Sequence, residues 1–481
     1  MGNPRKIRLR NKIAYHIARH FPMRFRLSDL ETMSSETIMD FGELSVIPAF
    51  QNAAQTLPFY KKILQEKCVH AAEIRTLEDF FRLVPILRKT DIFPVFTAND
   101  ICQNGKIDDM RSSIVTSGTS GIFAYGLLTA EDAVFQQKMI DAFFDYYFDA
   151  NNEPPLIINA LAMGVSFASS YPVINTSVRS DIVIHLIKTF HSFYKKIIII
   201  CDPNFAKKIV EDGSANDLPW KTLPVSFITG GAWFPNSLAQ YIISRVHDGT
   251  AKETDSFLGT MGLTEIALNI FSAPSELIAI RNIVQNDNEI LHALFGEKET
   301  VCPEIMYYYP TRTYIEITDS DNRGRGNITI SNLDTKTKTP LFRYDTGDSG
   351  EFVDRDALRN LLHKKGHVIS PKLQLPLIAI FERGEGSPHP ALASVAEVKE
   401  ALFRTAGLAS CFTGHFRIRR DAQVIEVQLE KNIRENHELQ VGIETNIKDV
   451  SGKQCAVKLI PYDEFSSDVG LDYERKWKHI S

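Results

Sequence analysis

The amino-acid sequence predicts an α/β protein with a large multi-layer N-terminal domain and a small α+β C-terminal domain. Three continuous apolar runs in the middle of the chain are typical of strands covered on both faces: Pro155–Leu161, Lys196–Cys201 and Leu223–Ile228. Helical patterns over Thr129–Tyr147 and around Leu238–Val246 supply such covers. This alternation indicates α/β layers.

The regions on either side of that layered middle are expected to complete the large domain. Apolar residues at helical spacing predict helices over Phe50–Leu64 and Leu77–Leu83. Thr313–Ile317 and Asn327–Ser331 are predicted strands, joined through the turn-rich Asp319–Gly326.

The last hundred residues form a compact pattern of their own. The run that follows Gly384, EGSPHP, is the best linker candidate in the chain. A helix is predicted from Ser394, whose capping-box partner is Glu397, to Phe403. The elements predicted after it are strand His415–Arg419, strand Gln423–Leu429, helix Glu435–Val450 and strand Ala456–Ile460. We therefore expect an N-terminal domain of residues 1–384 and a small C-terminal domain of residues 385–481.

Composition argues against several other classes of protein. The 481 residues are 44% hydrophobic and 23% charged, which is ordinary for a globular protein. A net charge of -5 gives no basic field for nucleic acid, and six scattered cysteines without a C-x-x-C pair indicate neither structural zinc nor disulfides. Ile13–Phe21 is broken by charged residues and is too short to span a bilayer. Lys6–Arg26 reads as an amphipathic helix on a membrane or, preferably, as a surface helix packed on the body. We expect a cytoplasmic protein without a nucleic-acid or membrane partner.

The first segment that carries chemistry is a loop rich in hydroxyl groups and glycine within Ser112–Gly126. Glycines let backbone N–H groups turn towards an anion, and hydroxyls add donors without burying charge. The residues of this predicted phosphate loop are Thr116, Ser117, Gly118, Thr119, Ser120 and Gly121. It is not a Walker loop, since Leu127 and Leu128 stand where Lys-Ser/Thr is required. Alone, the segment reads as a surface turn.

The second segment, Ser256–Asn269, places a hydroxyl beside a carboxylate. Thr264 and Glu265 follow a tight turn predicted at Gly262. Such a pair can hold Mg²⁺ against a phosphate oxygen, because Mg²⁺ takes few protein ligands. Taken alone, Glu265 reads better as the solvated start of a helix that runs through Ile270.

The third segment, Leu341–Phe352, contains one carboxylate after a glycine. Asp348 follows Gly347 and is placed to accept hydrogen bonds from two vicinal hydroxyls, as a ribose-binding carboxylate does. By itself, Thr-Gly-Asp is a turn.

In this order and at these separations, the three segments resemble the adenylate-forming superfamily of acyl-CoA synthetases, adenylation domains and luciferases. They are most similar to its phenylacetate–CoA ligase branch, from about residue 50 to the C-terminus. Besides the loop, Gly230-Gly231-Ala232 resembles the family's adenine-side segment, and Met261-Gly262-Leu263-Thr264-Glu265 resembles its Tyr-Gly-x-Thr-Glu motif. Tyr344-Asp345-Thr346-Gly347-Asp348 resembles its Tyr-Arg-Thr-Gly-Asp motif. Arg383 matches the hinge arginine, and Lys476, preferred to Lys478, matches the C-terminal catalytic lysine. Leu57–Tyr60 and Val84–Lys89 resemble N-terminal segments of the same branch.

The chain departs from the family pattern at several places. Met261 stands where an aromatic residue stacks on adenine. Asp345 stands for an arginine, which moves the nearby positive charge to Arg343 or Arg383. Ile122-Phe123 stands in the loop where many relatives carry basic residues, and the tail lacks the Ser-Gly-Lys form. These departures leave open a protein that binds nucleotide without catalysis.

The resemblance implies a ligase that uses ATP and Mg²⁺ to activate a carboxylic acid as acyl-AMP and passes the acyl group to coenzyme A. It also implies that the C-terminal domain, residues 385–481, is a mobile lid. The implied roles are Thr116–Gly121 for the leaving phosphates, Thr264 and Glu265 for the metal, Gly230, Gly231, Ala232, Met261 and Gly262 for adenine, Asp348 and Arg383 for the ribose, and Lys476 for the α-phosphate. The acceptor stays open between coenzyme A, a carrier-protein thiol and an amine, and a homodimer stays open as the assembly.

The substrate is expected to be an aryl acid or a small apolar or hydroxylated acid. The candidate pocket residues are Met163, Val165, Phe167, Trp233, Phe234 and Phe257. Core packing is the alternative role for most of them.

Overall fold

The computed structural model describes residues 7–9, 11–12, 14–15, 27–116, 121–162, 164–247, 256–334, 336–383, 390–465, 473 and 479–480. Within these residues the chain forms three β-sheets, which are surrounded by helices. The strands are β1 (Met110–Val115), β2 (Tyr125–Thr129), β3 (Leu156–Asn159), β4 (Val173–Asn175), β5 (Ile197–Cys201), β6 (Val225–Thr229), β7 (Phe257–Leu263), β8 (Ala267–Ala273), β9 (Glu304–Tyr308), β10 (Thr313–Thr318), β11 (Gly326–Asn332), β12 (Tyr344–Val353), β13 (Leu377–Ile380), β14 (Phe412–Arg419), β15 (Val424–Leu429) and β16 (Ala456–Ile460).

The helices precede, interrupt and follow these strands. They are α1 (Ser35–Thr56), α2 (Pro58–Glu66), α3 (Leu77–Leu83), α4 (Lys89–Ile92), α5 (Ala130–Phe148), α6 (Ser180–Phe190), α7 (Pro203–Ala215), α8 (Asn236–Val246), α9 (Ser275–Asn286), α10 (Asn288–Phe295), α11 (Arg355–Lys364), α12 (Val395–Phe403), α13 (Ala406–Ala409) and α14 (His437–Ser451). The predicted helix over Phe50–Leu64 is divided between α1 and α2, because Pro58 lacks an N–H group and begins a new helix.

The main sheet has eleven strands in the order β10-β11-β12-β13-β9-β8-β7-β6-β5-β3-β4. Neighbours from β4 to β7 are parallel, and neighbours from β7 to β10 are antiparallel. The switch occurs at β7, which pairs in parallel with β6 and antiparallel with β8. In open α/β sheets ligands bind outside the carboxyl ends of the parallel strands, so the ends of β6 and β7 mark the region to inspect.

The parallel part of the main sheet is buried on both faces, as its continuous apolar runs predict. Ile157, Ile198, Ile228 and Leu258 face one way and form a core with the aromatic residues of α5. Alternate residues of the same strands belong to the larger core on the opposite face. The predicted α/β fold with a smaller C-terminal α+β part is confirmed.

The C-terminal unit, residues 390–465, surrounds a sheet in which β15 pairs antiparallel with β14 and parallel with β16. Its first helix begins with the predicted capping box between Ser394 and Glu397. Several polar contacts join the unit to the rest of the chain, among them one on α7 and one on α8. Lys207 Nζ donates to Glu430 Oε1 over 2.8 Å, and Ser237 Oγ donates to the carbonyl of Glu400 over 2.8 Å. Residues 384–389 lie outside the described residues, so the domain boundary at 384 stays a prediction.

Candidate active site

The hairpin of β1 and β2 carries the predicted phosphate loop. The backbone N–H of Thr116 donates to the carbonyl of Ala124 over 2.9 Å, and the N–H of Ala124 donates to Thr116 Oγ1 over 3.0 Å. These two bonds close the neck of the loop. Gly121 has φ +79° and open space where a Cβ would lie, which only glycine accepts without strain. Ser117, Gly118, Thr119 and Ser120 lie outside the described residues, so the loop's phosphate contacts stay a prediction.

The hairpin packs directly on the segment that holds Thr264 and Glu265. A Cβ on Gly126 would lie 2.2 Å from the carbonyl oxygen of Thr264, so the strand can pass here only with glycine. A glycine in a strand indicates that another part of the backbone approaches closely, and Gly126 is such a glycine. Nothing in the local sequence indicates that the approaching segment is the one that contains Thr264. This contact places the loop beside the predicted metal carboxylate.

Two predictions about that segment are wrong. Gly262 lies inside β7 rather than in a tight turn, and no helix runs from Glu265 through Ile270, because β8 begins at Ala267. The turn comes instead at Thr264–Ile266, where the N–H of Ile266 donates to the carbonyl of Leu263. The apolar residues of this segment fit either a helix or a strand. Pairing with both β7 and β9 therefore decides that β8 is a strand. Glu265 is buried at 6% exposure and is not a solvated helix start.

The carboxylate of Glu265 accepts a hydrogen bond from a buried tyrosine at the start of β12. Tyr344 Oη and Glu265 Oε1 are 2.5 Å apart, and Tyr344 is 2% exposed. Burial raises the pKa of Tyr344, and the charge of Glu265 raises it further. The second oxygen, Oε2, receives no such hydrogen bond from the described residues and can accept a further ligand. Tyr344 belongs to the motif found in the sequence, but its role as a support for Glu265 was missed.

Asp348 and Arg383, both predicted at the ribose, are brought together. The guanidinium of Arg383 spans both carboxylate oxygens of Asp348, with 2.9 Å from Nη2 to Oδ2, and Nη2 also donates to the carbonyl of Thr346 over 2.7 Å. Partial burial acts against the charge of Arg383, but the carboxylate of Asp348 raises its pKa above the ordinary value. A carboxylate offers about four acceptor sites, so Asp348 can still accept from hydroxyls.

The predicted adenine-side segment follows β6 at the switch point of the sheet. A Cβ on Gly230 would lie 2.8 Å from Thr260 Oγ1, whereas Gly231 has φ +92° and open space around its missing Cβ. Met261 lies next to this segment on β7 and is partly buried. Ala232 is followed by Trp233 and Phe234, and the N–H of Phe234 donates to Glu304 Oε1 over 3.0 Å. Glycine backbone with open space on one side fits the close approach of a flat ring.

Two basic residues at the site were missed as functional residues. Leu87 forms a parallel bridge with Tyr344, which brings the start of α4 against β12. Lys89 Nζ donates to Thr116 Oγ1 over 3.0 Å, and Arg88 Nε lies 3.1 Å from Asp345 Oδ2. The only signal in the sequence was the adjacent Arg-Lys pair within a segment that resembles the family.

The Tyr-Asp-Thr-Gly-Asp motif has Asp345 in place of an arginine. Arg88 forms an ion pair with Asp345 and so supplies a positive charge at this position. Arg343 does not serve, because its guanidinium pairs with Glu316 over 2.9 Å and donates to the carbonyls of Phe81 and Val84. Arg383 does lie at the site, but it pairs with Asp348.

The candidate substrate residues take different places. Phe234 and Phe257 are buried in the core with their ring centroids 5.4 Å apart, so neither is open to a pocket in this conformation. Trp233 donates from Nε1 to the carbonyl of Ile380 over 3.2 Å, and the ammonium of Lys399 lies over its ring, 5.6 Å from the centroid. Val165 and Phe167 are partly buried, and Phe167 packs on the smaller core. Met163 and the two tail lysines, Lys476 and Lys478, lie outside the described residues.

The described residues fit Mg²⁺ only as a lightly held ion. Among them, no group of three or more His, Cys, Asp or Glu side chains is arranged to hold a metal. Glu265, beside the hydroxyl of Thr264, offers one free carboxylate oxygen. This suits Mg²⁺, which commonly binds one or two carboxylates and takes its other ligands from phosphates and water. No helix in the described part of the chain is long and apolar enough to cross a membrane.

No protein-family model and no curated protein matches the sequence. Solved structures do match. The crystal structure of 2-hydroxyisobutyryl-CoA ligase in the postadenylation state with 2-HIB-AMP has a TM-score of 0.68 and 14% identity, and covers 96% of this chain and 95% of that one. The same ligase with R3-HIB-AMP has a TM-score of 0.67 and 14% identity, with coverage of 94% and 91%.

The same ligase was also solved with 2-HIB-AMP and CoA in the thioesterification state. That structure gives a TM-score of 0.53 at 13% identity, with coverage of 94% of this chain and 91% of that one. The chain therefore has the fold of 2-hydroxyisobutyryl-CoA ligase.

Proposed function

We propose that this protein is an AMP-forming acid–CoA ligase similar to the phenylacetate–CoA ligases. The observation that supports this most is the convergence of the motif residues at one edge of the sheet. Glu265 is held by Tyr344, Asp348 by Arg383, and the hairpin that carries the phosphate loop lies against Thr264. Three motifs that are unremarkable alone meet in one place, within a fold shared with a ligase that binds 2-HIB-AMP and CoA.

The proposed first half-reaction joins a carboxylate to the α-phosphorus of ATP. A carboxylate oxygen attacks that phosphorus, the bond to the bridging oxygen of the β-phosphate breaks, and its electron pair leaves with pyrophosphate. The protein contributes mainly positioning and charge stabilisation to such a step. Asp348 and Arg383 would hold the ribose, Glu265 and Thr264 would hold Mg²⁺, and Lys476 would stabilise the α-phosphate. Mg²⁺, when bound, neutralises charge on the phosphates.

In the proposed second half-reaction the thiol of coenzyme A attacks the acyl carbon, and AMP leaves. The C-terminal unit would move to admit the thiol, and such a movement has to break the contacts of Glu430 with Lys207 on α7 and of Glu400 with Ser237 on α8. The substrate class we propose is an aryl or a small apolar or hydroxylated acid.

The first experiment measures pyrophosphate release with Mg·ATP over a panel of aryl, hydroxylated and short branched acids, with and without coenzyme A. The expected result is release that depends on one acid, with a thioester formed only when coenzyme A is present. Release that hydroxylamine traps but coenzyme A does not affect would move the acceptor to a carrier-protein thiol or an amine. ATP binding without release for any acid would contradict the catalytic proposal.

A further inference from the structure

Lys89 lies at the neck of the phosphate loop. Its Nζ donates to Thr116 Oγ1 over 3.0 Å, and the same oxygen accepts the N–H of Ala124 that closes the loop. The charges of Glu265 and Arg383 both act on Lys89, so its ammonium belongs to the same charged cluster. The sequence gap between Lys89 and Thr116 is 27 residues, and only the fold brings them together.

The position of Lys89 is held from two sides. Leu87 exchanges backbone hydrogen bonds of 2.9 Å with β12, donating to the carbonyl of Arg343 and accepting from the N–H of Asp345. On the other side, the ring of Phe93 packs edge-on against Tyr125 of β2, with centroids 5.2 Å apart. Lys89 is therefore fixed relative to both the ribose strand and the phosphate hairpin.

Among the residues that the structure describes, the ammonium of Lys89 has no anionic partner, unlike the side chains of Arg88, Lys336 and Lys338. In the described part of the chain no carboxylate lies within 4.0 Å of Lys89 Nζ. By contrast, Arg88 pairs with Asp345, Lys336 with Glu131 and Lys338 with Asp109. Partial burial, together with the charge of Arg383, lowers the pKa of Lys89, while the charge of Glu265 opposes that change. A half-buried ammonium that donates one of its three hydrogens is suited to receive an anion.

The phosphate loop has no basic residue of its own. Residues 116–126 read TSGTSGIFAYG, which supplies N–H and hydroxyl donors but no positive charge. We propose that Lys89 binds the β- and γ-phosphates of ATP and supplies the positive charge that this loop lacks. The inference rests on the proposed ligase function and extends it to a specific phosphate-binding residue.

The charge on Lys89 acts on the leaving group rather than on the nucleophile. When the bond between the α-phosphorus and the bridging oxygen breaks, negative charge accumulates on the departing pyrophosphate. A fixed ammonium beside the loop stabilises that charge without having to reorganise during the step. Lys89 should therefore contribute to binding ATP and pyrophosphate, but not AMP, whose only phosphate is the α-phosphate.

Binding measurements test this directly with the full-length protein. Calorimetry with ATP, pyrophosphate and AMP in the presence of Mg²⁺ compares the wild type with Lys89→Met, Lys89→Arg and the matched charge control Lys106→Met. Lys106 is exposed and precedes the same hairpin. In Lys89→Met we expect the dissociation constants of ATP and pyrophosphate to rise about tenfold to a hundredfold, since one charge-assisted hydrogen bond is lost. AMP binding should be unchanged, Lys89→Arg should retain most of the affinity, and Lys106→Met should match the wild type.

The outcomes separate this inference from the function on which it rests. A wild type that binds ATP, with a Lys89→Met variant that binds ATP and pyrophosphate equally well, would overturn the role of Lys89 and leave the ligase proposal intact. Equal loss of ATP and AMP binding would also overturn it, because the effect would then concern the whole site. A wild type that binds neither ATP nor AMP would overturn both.

Discussion

Replacing Glu430 by methionine should destabilise the protein much more than replacing its partner Lys207 by methionine. The two side chains join the C-terminal unit to α7, with 2.8 Å between Lys207 Nζ and Glu430 Oε1. The side chain of Lys207 is fully buried, whereas 18% of the side chain of Glu430 is exposed. Loss of Glu430 leaves a charge with no access to water, but loss of Lys207 leaves a carboxylate that water can still reach.

The burial of the two side chains sets the expected sizes. Removing one partner of a buried pair costs about 3–5 kcal/mol when the remaining charge is uncompensated, which is the case for Glu430→Met. Lys207→Met should lower the free energy of unfolding by about 1–3 kcal/mol, the range for a buried polar group that loses its partner. The double variant should be close to wild type, because a buried pair can often be replaced by apolar residues of similar volume at little cost.

Urea unfolding followed by far-UV circular dichroism and tryptophan fluorescence measures the four proteins of this cycle. The two signals must coincide, since a chain with a separate C-terminal unit can unfold in more than one step. The change in the transition midpoint at constant slope gives each stability difference. Equal losses in both single variants would refute the argument from the different burial of the two side chains. A double variant whose loss equals the sum of the single losses would refute their coupling.

Three further changes test the site and its supports. Gly126→Ala should destabilise the protein by about 1–3 kcal/mol and lower pyrophosphate release, because the new Cβ would lie 2.2 Å from the carbonyl oxygen of Thr264. Tyr344→Phe should raise the Mg²⁺ concentration needed for half-maximal pyrophosphate release, because Glu265 loses the hydroxyl that holds it at 2.5 Å. Burial raises the pKa of Glu304 to about 7, above its unfolded-state value of 4.5. The folded state therefore favours the protonated side chain. This contribution to the free energy of unfolding is fully present below pH 4.5 and is lost as the pH rises through about 7. Relative to Glu304→Gln, the wild type should therefore lose on the order of 3 kcal/mol of unfolding free energy across that window, measured by urea titrations at each pH.

Each of these changes has a control and a contradicting result. Gly407→Ala, where nothing lies within 4 Å of the new Cβ, should leave activity unchanged, and equal effects at both glycines would contradict the argument from close contact. Tyr194→Phe is the control for Tyr344→Phe, because it removes the hydroxyl of a tyrosine whose ring packs on Phe190. Only the change at Tyr344 should alter the Mg²⁺ dependence of pyrophosphate release. A constant stability difference between wild type and Glu304→Gln at every pH would contradict the raised pKa.

Local sequence accounts for several elements outside the site. The helix Leu77–Leu83 and the strand Ala456–Ile460 have the bounds that their patterns predict. The capping box at Ser394 is confirmed because it depends on groups three residues apart. Strands and caps of this kind are decided by side-chain period and nearby hydrogen bonds, both of which are written along the chain.

The segment after Gly262 shows where local sequence was insufficient. Its apolar residues fit either the predicted helix or the observed strand, and the choice was made by the strands on either side of β8. The same holds for the burial of Glu265, whose partner Tyr344 is 79 residues away. Neither the period nor the caps of the segment carry information about those neighbours.

By itself, the sequence determined the α/β class, the pattern of the C-terminal unit and the motifs that contain Glu265, Tyr344 and Asp348. The tertiary structure alone decided that Arg88 pairs with Asp345, which is 257 residues away, and that Lys89 lies beside the neck of the phosphate loop. The reason is physical. A motif is a local arrangement of a few residues, but the charge balance of a site depends on which distant segments approach one another when the sheet and its cores are packed.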